Sequence, residues 1–195
     1  MTDSVTTTSP TLLDLAAGGD SEAWTRLTSL YGPLVFHWAQ KQGLSNADAA
    51  DVLQEVFVSL ARNLERFEQR TSGSFRGWLW VMTRNQLTDY FRRRTRNVQA
   101  AGGTGAWQQL AAHAESLPDD PTEFTEPGQL NALHHRGLEI VKSEFEQRSW
   151  NIFERVVIDD VSTAEVATEF NITANSVRQT KSRILRRLRQ VLGEG

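Results

Sequence analysis

Apolar residues recur at spacings of three and four along most of this chain, so nearly all of it reads as α-helix. Leu12, Leu15, Ala16, Ala23, Trp24, Leu27 and Leu30 carry the first pattern. Gly18-Gly19-Asp20 breaks it, with Ser21 as a fresh N-cap. Tyr31-Gly32-Pro33 interrupts again and predicts a separate helix over 33–42, ended by Gly43. Ser45 and Asp48 form a near capping box, with aspartate in place of glutamate, for a helix reaching about Arg66. Val52, Val56, Leu60 and Leu64 form its inward face. Residues 68–74 are a polar loop. The next helix, 75–94, has apolar residues on two sides: Phe75, Trp78, Leu79, Met82 and Tyr90 on one, Trp80, Leu87 and Phe91 with Arg84 on the other.

The pattern fades over 98–131, where Gly102-Gly103-Thr104-Gly105, Pro118, Pro121, Pro127 and Gly128 predict a linker with at most a short helix over 106–114. Helical spacing returns from Ala132, with Ile140, Val141, Phe145, Trp150, Phe153, Val156 and Val157 as core. Ser162-Thr163-Ala164-Glu165 is a capping box for a short helix through Phe170. Asn171 tolerates left-handed backbone at a sharp turn, Ile172 plugs the angle and Thr173 caps a last helix over 174–192. Val177, Ile184, Leu188 and Val191 face inward there. The expected architecture is all-α: an N-terminal domain over 1–96, an acidic linker over 97–131 and a C-terminal helix-turn-helix domain over 132–195.

Composition narrows the chemistry. With 195 residues, 39% hydrophobic and 23% charged, the chain fits one or two globular domains. No run of 18 apolar residues predicts a membrane helix, and the polar start at 2–10 is no signal peptide, so the cytoplasm is the default location. The absence of cysteine excludes disulfides, zinc-thiolate sites and a cysteine nucleophile. His37, His113, His134 and His135 have no metal-ligand spacing, so neither metal nor other cofactor is expected.

The net charge of −3 hides a strong asymmetry. Residues 84–96 hold five arginines against Asp89, a local +4, and 174–192 hold six basic residues and no acid, a local +6. Between them, 98–131 carry Glu115, Asp119, Asp120, Glu123 and Glu126 without a single cation. Two basic segments thus flank an acidic middle, and that asymmetry is the most informative feature of the composition.

Three surfaces are candidates. Asp51, Gln54 and Glu55 share one side of their helix, as residues three and four apart do; the face is either simply solvated or a docking surface. The aromatics and arginines of 75–94 suit unpaired bases and phosphates, while the same stripe also suits a helix buried between two others. In a helix-turn-helix the second helix enters the major groove, where Arg178 can read guanine, Gln179 adenine and Ser176 or Ser182 either, while Lys181 and Arg186 mainly meet phosphate.

Phe75-Arg76-x-Trp78-Leu79-x-x-Met82-x-x-Asn85-x-x-x-Asp89-x-x-Arg92 resembles the promoter-melting helix of bacterial extracytoplasmic-function (ECF) sigma factors. Asp51-x-x-Gln54-Glu55 stands just upstream, where these factors dock on a basic coiled coil of core RNA polymerase. Asn175-Ser176-Val177-Arg178-Gln179-x-Lys181-Ser182-Arg183 is similar to their minus-thirty-five-reading helix. The resemblance covers about 11–96 and 133–192; it departs at Asn171, where many relatives have glycine. It implies core binding by Asp48, Asp51, Gln54 and Glu55. It implies minus-ten contacts by Arg70, Thr71, Ser72, Phe75, Arg76, Trp80, Arg84, Asn85, Arg92 and Arg93. It implies minus-thirty-five contacts by Thr173, Asn175, Ser176, Arg178, Gln179, Lys181, Ser182, Arg183 and Arg186. The implied partners are core RNA polymerase, promoter DNA as duplex and melted strand, and an anti-sigma factor, with binding rather than catalysis as the activity. A one-component helix-turn-helix regulator is the alternative, and a helical hydrolase or nuclease a more distant rival; the latter would need its acids gathered in a pocket.

Overall fold

The computed structural model describes residues 11–67, 74–100, 108, 112, 116–120 and 125–194. Arg70, Thr71, Ser72 and the expected short helix over 106–114, apart from two single helical residues, lie outside them. Eight α-helices run through the described residues: α1 (Leu12–Ala17), α2 (Ser21–Lys41), α3 (Asn46–Asn63), α4 (Phe75–Ala100), α5 (Pro127–Lys142), α6 (Gln147–Val157), α7 (Thr163–Glu169) and α8 (Ala174–Val191). A 3-10 turn over Leu64–Arg66 ends α3. Among these helices none is long and apolar enough to cross a membrane.

Caps explain most of the boundaries. Thr11 and Asp14 form a reciprocal capping box on α1, and Ser162 and Glu165 form one on α7, so backbone donors at both helix starts are satisfied. The N-cap of α2 is Asp20, whose carboxylate accepts from Ala23 N–H at 2.7 Å; Ser21, expected in that role, is the first helical residue. Asn171 has φ 51°, the left-handed conformation the turn requires, and Asp160 (φ 54°) is a second such residue without a sequence signal.

Two boundaries depart from the sequence reading. Pro33 does not start a new helix but lies inside a continuous α2. Its ring removes the donor to the Ser29 carbonyl, a local cost, yet Leu27, Leu30, Tyr31, Leu34, Val35 and Trp38 are all buried along one face. Packing of that face outweighs the lost bond, and Arg136 Nε donates to the Leu30 carbonyl at 3.1 Å beside it. The linker is also shorter than expected. Helix α4 continues to Ala100, and α5 begins at Pro127, where proline's missing N–H costs nothing in a first turn.

Helices α1–α4 form one bundle and α5–α8 a second, and the two share a continuous core. Leu27, Leu34, Trp38 and Trp80 from the first bundle belong to the same buried cluster as Leu133, Val141, Ile184 and Leu192 from the second. A smaller cluster of Ile152, Val156, Val166, Ala167 and Val177 holds the helix-turn-helix together. At the junction, Tyr31 OH donates to the Leu192 carbonyl at 2.7 Å, and Phe75 N–H donates to Gly193 at 3.4 Å. Gly193 has φ 57°, and a Cβ there would stand 2.6 Å from that of Phe75, so the close approach needs glycine.

Burial above all pushes the Tyr31 phenol above its ordinary range, with Glu194 adding to the effect and Arg76 opposing it. A folded-state value above the unfolded one of about 10 means the contribution is complete below that pH and is lost as pH rises through the folded value. Tyr31→Phe is therefore expected to cost about 1–3 kcal/mol at neutral pH, since the Leu192 carbonyl loses its donor. It should also flatten the fall in stability at alkaline pH. Urea unfolding of both proteins at neutral and alkaline pH checks both effects.

Candidate nucleic-acid interface

Helix α8 is capped by Thr173, whose hydroxyl accepts from Ser176 N–H at 3.1 Å and lies 2.9 Å from the Ser176 hydroxyl. Val177, Ile184 and Val191 at spacing seven bury one side, which turns the opposite side outward. Asn175, Arg178, Gln179, Ser182, Arg183 and Arg186 line one shallow groove along that outer side. The steps of three and four make this row a single stripe, with both a bidentate cation and an amide near the N-terminal end. Lys181 stands off the stripe and is half-buried, as is Ser176; Thr173 is exposed at the helix start.

Arg183 is held from behind. Its guanidinium donates to Ser149 Oγ at 3.2 Å and lies 5.4 Å from the Phe145 ring centroid. Both partners belong to the segment leading into and through α6, so the stripe is braced by the rest of the bundle. Arg187, on the inner side, forms a two-point pair with Glu144 at 2.5 and 2.9 Å. Glu144 also faces Arg26 of α2 at 3.7 Å, which joins the second bundle to the first. The sequence offered no signal for these braces, because Arg183 lies 34 residues from Ser149 along it.

Helix α4 buries Phe75, Leu79, Trp80, Thr83, Leu87 and Phe91. Its opposite arc exposes Asn85, Arg92 and Arg96 together with Val81, which is 50% exposed. Arg93 is exposed nearby, and Arg76 and Arg84 are half-buried. Two expected DNA contacts are corrected here. Phe75 and Trp80 are each fully buried, so neither ring offers a face to a base. Phe75 lies 4.9 Å from the Tyr31 ring centroid and 5.4 Å from that of Phe67. Trp80 meets Trp38 edge-to-face at 5.3 Å, and its indole N–H donates to the Pro118 carbonyl at 3.1 Å. The aromatic stripe serves the core; what reaches the surface is the amide and the arginines.

On α3, Asp51, Gln54 and Glu55 are exposed side by side, and Val58, 45% exposed, continues the row one turn on. Asp48 is placed differently. The Ser45 hydroxyl donates to its carboxylate at 2.6 Å, and Arg94 stands at 3.8 Å. The Ser45 bond above all keeps this carboxyl below its ordinary range. Asp48 is thus engaged by its own cap and by α4, apart from the row its neighbours form. Val58 and Val81 escaped the sequence reading; an isolated valine on a polar stripe is the signal that could have found them.

Between the bundles, the described linker residues are fixed to α2 and α4 rather than free. Leu117 is buried at 4% exposure, Asp119 pairs with Arg84, Thr125 Oγ1 accepts from Trp38 Nε1 at 2.9 Å, and Glu126 pairs with Lys41. At these positions the acidic linker is held against α2 and α4.

Comparison with known proteins gives two family matches: sigma-70 region 2 over residues 27–97 and sigma-70, region 4, over residues 143–190. The first contains α3 and most of α2 and α4, and the second contains α6, α7 and all but the last residue of α8. Among curated proteins, the chain is similar to "ECF RNA polymerase sigma factor SigE" of Mycolicibacterium smegmatis, 25% identical over 91% of this chain and 66% of the relative. It is also similar to "RNA polymerase sigma factor CnrH" of Cupriavidus metallidurans, 30% identical over 51% of this chain and 60% of the relative. The chain thus spans slightly less than two thirds of the length of both. A solved structure of CnrH in complex with the cytosolic domain of CnrY aligns with 91% of this chain and 92% of that one, at 19% identity and a TM-score of 0.36.

Proposed function

The chain belongs to the sigma-70 family, in its extracytoplasmic-function group, and on that premise we propose that it binds core RNA polymerase and directs it to specific promoters. The single observation that carries this is the order of three surfaces on one chain. An acidic row on α3 precedes an arginine-rich arc on α4, and a groove of polar and basic residues on α8 follows.

Each surface takes one task. Asp51, Gln54 and Glu55 of α3 meet a basic element of the polymerase. Asn85, Arg92 and Arg93 of α4, with Arg76 and Arg84, meet the unpaired strand of the minus-ten element. Arg70, Thr71 and Ser72, which lie outside the described residues, are assigned to the same strand by the family resemblance alone. Flipping a base costs a few kcal/mol, and each cation or stacking contact returns about 1–3 kcal/mol, so the free chain opens duplex poorly and needs the polymerase to hold the melted state. The α8 stripe enters the major groove upstream. An anti-sigma protein that covers these surfaces is a further proposed partner.

The division of labour on α8 is testable. Arg178→Ala is expected to cost about 1–3 kcal/mol on the preferred duplex and to relax selectivity at one position. Lys181→Ala, off the stripe, is expected to weaken all duplexes alike and to lower the salt slope by about one. Binding of a randomised duplex pool at several salt concentrations separates them; coincident selectivity profiles for the two variants would refute the assignment.

Co-purification tests the proposal as a whole. A sigma factor comes down with core polymerase, whereas a one-component regulator binds its duplex without it. The second reading is not favoured, because the region 2 match takes up the segment, 27–97, in which such a regulator would keep its ligand pocket or dimer seam.

A further inference from the structure

A groove of about 280 Å3 runs between α3 and α4, with Asp51, Gln54 and Glu55 on one wall and Gln86, Tyr90 and Arg93 on the other. It opens directly from the row proposed above to meet the polymerase, and Gln86 and Tyr90 have no task in that reading. Gln86, Tyr90 and Arg93 follow one another at steps of four and three, so they form one stripe along α4. Gln86 and Arg93 each stand one residue after Asn85 and Arg92, a turn of about 100° away from the arc those two share.

The lining selects the occupant. Asp51 and Glu55 are exposed, and among the described residues no cation pairs with either; Asp48, by contrast, already has Ser45 and Arg94. Two such carboxylates repel nucleic acid and attract a cation. Gln54 and Gln86 add amide oxygens that can accept from a guanidinium or ammonium group. Tyr90 is half-buried and Arg94 donates to its hydroxyl at 2.6 Å, so this wall is held in place within the chain. The volume falls below the roughly 300–1,000 Å3 of a site for a drug-sized ligand and suits a side chain of a protein. Size and charge together fit a basic protein element, and neither a metabolite nor a strand of DNA.

We propose that core RNA polymerase seats a basic side chain in this groove, so that docking uses Gln86 and Tyr90 of α4 as well as the row on α3. This rests on the reading of α3 as the polymerase-docking helix and extends it across to α4. Arg93 stands where the two tasks meet. It gives a cation to the melted strand, and it opposes the cation that the polymerase brings to the same groove.

The test measures association of the full chain with core polymerase by biolayer interferometry at low and raised salt, with circular dichroism as the check on folding. Gln86→Arg places a cation of the chain's own beside Asp51 and Glu55 and is expected to weaken association about tenfold or more, because like charges across an interface are strongly unfavourable. Arg93→Gln removes the opposing cation. It is expected to tighten association about two- to fivefold at low salt, the range of an exposed pair, with the gain shrinking as salt rises. The same variant should bind single-stranded oligo(dT) more weakly, since a phosphate partner is lost. A purely structural change would not move the two affinities in opposite directions. A folded Gln86→Arg chain that associates as the parent does would overturn the groove. Should that variant not fold, unchanged or weaker association of Arg93→Gln with the polymerase would overturn it. Sedimentation of the chain alone covers the other occupant: a dimer that Gln86→Arg disrupts would give the groove to a second copy and overturn the proposal. Undiminished association of the chain with both Asp51→Arg and Glu55→Arg would instead overturn the docking of α3 itself, so the two failures are distinct.

Discussion

Replacing Asp51 and Glu55 together by arginine is expected to abolish association with core RNA polymerase while leaving the chain folded. Both carboxylates are exposed on α3, and Val52, Val56 and Leu60 on its inner side carry the packing. The substitution therefore changes the outer row without touching the core. Two reversed charges facing a basic partner replace attraction by repulsion, and like charges across an interface cost several kcal/mol. A loss of that size takes a tight complex beyond detection, since each 1.4 kcal/mol is about tenfold in affinity. Circular dichroism should show an unchanged helical signal, and affinity capture of the polymerase should show none bound. Undiminished capture by a folded double variant would remove α3 from the docking surface.

The second large effect concerns Trp80. Its ring is fully buried against Trp38, so Trp80→Ala opens a cavity between α2 and α4 and is expected to cost about 3–5 kcal/mol. Against a total stability of about 5–15 kcal/mol this is a large fraction. At about 2–4 °C per kcal/mol for a chain of this size, the melting temperature should fall by roughly 6–20 °C. A surface tryptophan that stacked on bases would behave otherwise: the melting temperature would hold, and only single-strand binding would suffer. Thermal unfolding beside oligonucleotide binding separates the two.

That contrast marks how far the sequence could be read. Helix periods placed Val52, Val56, Leu60, Val177 and Ile184 correctly inward, because burial on one side of a helix imposes a spacing that any eye can follow. The capping box at Ser162 and the left-handed Asn171 were legible for a similar reason, as both are local geometry. Pro33 was misread because its penalty is local while the compensation, a long buried face on α2, is tertiary. The two apolar sides of α4 were visible in the pattern, but that neighbouring helices bury residues of both, Phe75 and Leu79 on one and Trp80, Leu87 and Phe91 on the other, is a tertiary fact. In sequence an aromatic stripe of this kind suits a buried helix first, and bases as well.

The linker shows the same limit from the other direction. Its acids, glycines and prolines spell a tether, and nothing within 98–131 says that Asp119 finds Arg84 or that Thr125 finds Trp38. Those pairs exist because the shared core brings α2, α4 and α5 together. Of the candidate sites, the α8 stripe was the most fully legible, since spacing alone puts Asn175, Arg178, Gln179, Ser182 and Arg186 on one row. Arg183 shares that row, but its brace against Phe145 and Ser149 depends on α6 and could not be seen.

Core RNA polymerase mixed with the chain and with fragmented bacterial DNA, followed by sequencing of transcript 5′ ends, tests the central claim most directly. A promoter-directing factor predicts discrete start sites that are absent with core alone. Those sites should share one upstream duplex element, and Arg178→Ala should relax selection at a single position within it. Start sites scattered as they are with core alone, from a preparation in which the chain is folded and bound to the polymerase, would contradict the assignment.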